Sequence, residues 1–170
     1  MNNITHSSTS LVHIVAALIA LIAGTYVLLS PKGTSRHRFI GWLYSGSMIV
    51  LLFTAFQMYY LFGRFGIVHW SALGSVVALA IGLGAVSLRA RIRSWLQWHY
   101  LGMGVSITGV YASFLVESTY RFFPPVYFWW VTLGPTALVF IVSGLILRHY
   151  YPTWIKQTSS SPEPSVLQIF

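Results

Sequence analysis

Hydrophobic positions in this chain do not alternate with polar ones at a helical or two-residue period. They run almost unbroken over five stretches, Leu11 to Ser30, Phe39 to Phe62, Val68 to Leu88, Trp95 to Ser118 and Val126 to Leu147. Runs of about 20 residues, rising about 1.5 Å each as helix, match the hydrocarbon thickness of a bilayer. Backbone in hydrocarbon must satisfy its own hydrogen bonds, so each run predicts a transmembrane helix. The fold class is therefore all-α: a polytopic membrane helix bundle of five transmembrane helices. Polar punctuation agrees. Pro31, Lys32 and Gly33 end the first run, Pro124 and Pro125 break the chain before the fifth, and Pro135 falls inside it. Residues 1–10 read as a polar N-terminal tail, 11–150 as the membrane domain, and 151–170, with QTSSSPEPSVLQIF, as a flexible cytoplasmic tail. The opening MNNITHSSTS has no positive region, so the first run is expected to be a helix rather than a signal peptide. Trp42, Trp70, Trp95, Trp98, Trp129 and Trp130 fall near run ends, where amphipathic rings anchor spans.

Composition sharpens this reading. Of 170 residues 56% are hydrophobic and 7% charged, and the mean hydropathy is +0.71. With no cysteine, disulfides, thiolate metal sites and cysteine nucleophiles are excluded. The net charge of +8 does not point to nucleic acid, because the cations sit at run ends. Lys32, Arg36, Arg38, Arg89, Arg91, Arg93, Arg148 and Lys156 follow the odd-numbered runs; Arg64 and Arg121 follow the even ones. The positive-inside rule then places the N-terminus outside and the C-terminus in the cytoplasm, in a bacterial cytoplasmic membrane with lipid as the principal partner.

Four histidines share one placement. His13, His37, His69 and His99 lie at or just inside the N-terminal ends of spans one to four. Span direction alternates, so His13 and His69 are expected at the outer face and His37 and His99 at the cytoplasmic face. Each pair sits on parallel helices. The order also reads as a tandem two-helix repeat, in which the second histidine follows a basic loop and precedes a glycine, as in HRFIG and WHYLG. Small residues lie one to several turns beyond, Ala16, Ala17, Ala20 and Gly24 below His13, and Gly102 and Ser106 below His99. Ordinary close packing of membrane helices explains these stripes equally well. It does not explain the histidine at the head of each. His6 and His149 stand outside the pattern and read as surface residues.

Two imidazoles per face are too few for a zinc site, which takes about three or four protein ligands. They match the two axial positions of low-spin haem iron. The chain is thus expected to bind two haem b groups, one per leaflet, through His13 with His69 and His37 with His99. Arg36 and Arg38 would face propionates, and Gly41 and Gly102 would leave room for the macrocycle. The ligand layers would lie on the order of 25–30 Å apart. Such a protein would be a transmembrane b-type cytochrome-like electron carrier, a membrane oxidoreductase if it is an enzyme. Its architecture is similar to that of ascorbate-type dihaem cytochromes b. Quinol or another small redox donor could dock near Tyr59, Tyr60 and Trp70. Alternatives are a non-catalytic transporter or assembly factor in which Glu117 and Gln57 line a polar crevice, and a metal-binding membrane protein. For copper, His99, Met103 and Met48 would serve; a metal-dependent hydrolase would want three or more ligands on one side.

Two segments carry a further likeness. KGTSRHRFIGWLY at 32–44 and WHYLGMGVSITGVYASFLVES at 98–118 resemble the signature segments of an uncharacterised bacterial family of multi-pass membrane proteins, a domain of unknown function. The resemblance rests on Arg36, His37, Arg38, Gly41, His99, Gly102, Met103 and Glu117 and covers about residues 13–150. It implies a helical membrane protein and no known reaction.

Overall fold

Local sequence signals stop the first helix and start the second. Pro31 cannot continue a helix, and Gly33 takes a φ of 77°, a left-handed turn open to glycine. The Lys32 ammonium donates to the carbonyls of Val27, Leu28 and Ser30, closing the C-terminal end of the first helix. Thr34 then caps the second, its hydroxyl accepting from the His37 N–H at 3.1 Å. The computed structural model describes residues 8–58 and 63–160, and side chains up to residue 153. Its helices are α1 (Ser8–Leu29), α2 (Ser35–Ala55), α3 (Ile67–Ser87), α4 (Trp95–Thr119) and α5 (Phe128–Ser160), with 3₁₀ turns at Tyr120–Phe122 and Pro125–Tyr127. No strand occurs among the described residues.

All five helices are long and apolar enough to cross a membrane. Their outer faces carry large apolar side chains, Ile22, Phe53 and Ile141 each more than 60% exposed, on a scale that water would not tolerate but lipid does. The chain is an integral membrane protein.

The packing order follows from which helices touch. Helix α1 packs along α2 and α3 along α4, two hairpins that join through α1 against α4 and α2 against α3. Helices α1 and α3 are then one diagonal of a four-helix bundle and α2 and α4 the other; α5 lies outside, along α4. Small residues permit the tightest approach. A side chain at Gly102 would meet the Gly82 nitrogen at 2.5 Å and the Ala78 carbonyl at 2.7 Å, so α3 and α4 are in backbone contact there. Tyr44, Met48, Leu52, Ala20, Leu79, Met103, Ile107 and Val110 fill the centre.

Two boundaries differ from the sequence expectation. Helix α2 begins at Ser35 and ends at Ala55, not at Phe39 and Phe62, because the Thr34 cap starts it inside the polar SRHR segment and Phe56 and Gln57 turn out of it. The other concerns the tail, where α5 continues through Pro152 to Ser160, so the first ten residues expected to be flexible are helical. Proline there removes a donor within the last turns, and in the same region the Tyr100 hydroxyl donates to the Leu147 carbonyl at 2.6 Å. His6, Tyr59, Tyr60 and residues 161–170 lie outside the described residues.

Candidate cofactor site at the basic end of the bundle

The ends of α1, α3 and α5 and the starts of α2 and α4 converge at the end that carries Lys32, Arg36, Arg38, Arg89, Arg91, Arg93 and Arg148. Here the α2–α4 diagonal brings His37 and His99 together. Their ring centroids are 6.5 Å apart and the planes stand at 78°. Two imidazoles sharing one metal through bonds of about 2 Å have centroids about 6 Å apart, so the observed gap fits a single ion between them.

Hydrogen bonding prepares these rings for ligation. His99 Nδ1 lies 2.9 Å from the Gly82 carbonyl. A carbonyl only accepts, so Nδ1 carries the proton and Nε2 keeps its lone pair. A backbone carbonyl behind a histidine is the usual arrangement behind a metal-bound ring. His37 Nδ1 is shielded from solvent and finds no hydrogen-bond partner among the described residues. Seven residues beyond each histidine, the Tyr44 hydroxyl and Ser106 Oγ bond across the same diagonal at 2.7 Å, both side chains fully buried. The Tyr44 ring lies on Gly24, where any side chain would meet it at 3.1 Å. Thr25 and Tyr111 share a hydroxyl–hydroxyl bond between α1 and α4.

The remaining expected residues divide. Arg36 and Arg38 are at this end but exposed on the surface, Arg38 reaching Ser35 Oγ at 3.5 Å. Beside Gly41 there is open space, with nothing within 4 Å of where a side chain would start. Gly102 does not leave room for a macrocycle: the backbone of α3 occupies that space.

At the opposite end the second pair is arranged differently. Thr54 Oγ1 already gives its one proton to the carbonyls of Val50 and Leu51, each at 2.9 Å. With the hydroxyl proton so placed, His13 Nδ1, 2.9 Å from that oxygen, is the donor and Nε2 is unprotonated. His69 shows the reverse. Its Nδ1 accepts from the Gly66 N–H at 3.1 Å and caps α3, while the ring stacks on Phe65 at 4.9 Å. Neutral His69 thus carries its proton on Nε2. Ligation through that atom would move the proton to Nδ1, donor against donor with Gly66. Among the described residues no ring contact joins His13 to His69, and no group of three or more histidines or acids gathers to hold a metal. Glu117 is exposed, 4.0 Å from Arg121, and Gln57 and Trp70 are exposed as well.

Comparison with known protein families, curated proteins and solved structures gives no match. The likeness read from the two signature segments identifies no family for this chain.

Sequence reasoning missed the supporting residues Gly82, Thr54 and the Tyr44–Ser106 pairing. A signal for the last was present: Tyr44 and Ser106 are separated along the chain by the same interval as His37 and His99. Parallel helices meeting at one pair meet again two turns on.

Proposed function

We propose that this chain is a membrane haem protein, a b-type electron carrier whose iron is gripped by His37 and His99 at the basic end of the bundle. The observation that carries the reading is the 6.5 Å approach of the two imidazoles across the α2–α4 diagonal. Two features add to it: the Gly82 carbonyl behind His99, and the partnerless shielded nitrogen of His37. When bound, haem would supply reversible one-electron chemistry near one membrane face. The chain's part is to fix both rings, to keep the surrounding bundle apolar, and to set the Tyr44–Ser106 bond as a floor about 10 Å beyond the imidazole layer. Cationic loops at the same end favour propionate carboxylates. The proposal is limited to one haem, because the cap that His69 makes to Gly66 holds it in the tautomer unsuited to Nε2 ligation.

Protein purified in detergent from haem-replete cells is expected to give a reduced-minus-oxidised b-type spectrum. His37→Ala and His99→Ala should abolish it, and His69→Ala should leave it in place. A colourless preparation, or a spectrum indifferent to the first two substitutions, would overturn the reading. Metal analysis of the same sample separates haem iron from a bare copper ion held by the same rings.

A further inference from the structure

The α2–α4 diagonal is spanned by side chains alone. Nowhere among the described residues do Cα atoms of α2 and α4 come within 8 Å, so no direct backbone contact joins them. Within that gap the Tyr44–Ser106 hydrogen bond, 2.7 Å between two fully buried hydroxyls, is the polar tie, and it lies on the interval that also relates His37 to His99. The ring is seated closely on Gly24, where an added methyl would lie 3.1 Å from the Tyr44 ring and 3.5 Å from Ile107. A long, flat, stiff side chain cannot shorten as an aliphatic one can by changing rotamer.

We infer that Tyr44 is a positioning residue: bonded to Ser106 and seated on Gly24, it is the spacer that fixes the distance between α2 and α4 and hence the gap between His37 and His99. The inference deepens the haem proposal and rests on it for the ligand, but the spacing itself is a property of the protein alone. Tyr44 and Ser106 touch no iron. They hold the rings at a separation that one metal ion can bridge, and the buried bond makes that separation sharp.

The chain has no cysteine, so two labelling sites can be introduced cleanly. Cysteines replacing Phe39 and Trp98, exposed neighbours of the two histidines, would carry spin labels in detergent-solubilised protein without added haem. Tyr44→Phe removes one hydroxyl and keeps the ring; Ser106→Ala removes the other. Each is expected to broaden the inter-label distance distribution and to shift its mode by about 1–2 Å, the scale on which packed helices slide. The double variant should match either single one, because both delete the same bond. If haem is bound, both variants should lose part of the low-spin signal. Distributions that superimpose on the parent in both variants would overturn the spacer role; should Tyr44→Phe fail to fold, the distribution in Ser106→Ala decides the matter alone. A shifted distance in protein that never binds haem would sink the proposed function and leave the spacer standing.

Discussion

The contact between Gly102 and α3 gives a sharp test of how the bundle is held. In Gly102→Ala the new methyl would start 2.5 Å from the Gly82 nitrogen, 2.7 Å from the Ala78 carbonyl and 2.8 Å from the Gly82 Cα. All three are backbone atoms in a helix, so no rotamer change relieves the clash. Reaching an ordinary separation of about 3.5 Å requires α3 and α4 to part by about 1 Å. That movement would stretch the His99 to Gly82 hydrogen bond, now 2.9 Å, out of bonding range. Overpacking of this kind costs about 1–3 kcal/mol and the lost bond about 1 more, a total of about 2–4 kcal/mol. Two comparisons isolate the cause. At Gly104 an added methyl meets the tip of Leu147 at 2.9 Å, a side chain that can turn, so Gly104→Ala should cost only about 1 kcal/mol. At Gly46 nothing lies within 4 Å, and Gly46→Ala should be neutral or stabilising by up to about 1 kcal/mol through helix propensity. Equilibrium unfolding in mixed micelles of rising SDS fraction, followed by tryptophan fluorescence and circular dichroism, gives the three values side by side. If Gly102→Ala falls within about 0.5 kcal/mol of Gly46→Ala, the backbone contact between α3 and α4 is not what the structure describes.

Two further outcomes are expected. His69→Ala should destabilise the protein by about 1–3 kcal/mol and speed exchange of the Gly66 amide at the head of α3, since it removes that N–H's buried acceptor; unchanged exchange there would contradict the capping role. Lys32 lies in the loop between α1 and α2, where burial lowers its ammonium from the usual 10.5 to about 8. Between those values the folded chain holds fewer protons than the unfolded one, so stability should rise with pH from about 8 to about 10.5. Lys32→Met should lack that rise in the same micelle titration, and a slope that persists in the variant would assign it to another group.

The class of the protein is written in five uninterrupted apolar runs, because hydrocarbon solvent leaves helices as the economical way to satisfy every backbone group in a chain of this pattern. Pro31, Gly33 and the Pro124–Pro125 pair likewise announce their turns, since their backbone limits are local. The alternating placement of His13, His37, His69 and His99 was legible for the same reason: helix direction and a residue's position in a span fix its depth. What the sequence could not decide was the company each ring keeps. Four histidines with one placement in the chain have different surroundings in the fold: His37 and His99 face each other, His13 bonds Thr54, and His69 turns back to cap its own helix. Nor could it tell whether Gly102 leaves a space or closes one. Those questions depend on side-chain direction and on which helices are neighbours or diagonals, and only the packed bundle sets them. Periodicity and solvent act residue by residue; a site exists only once distant segments have been brought together.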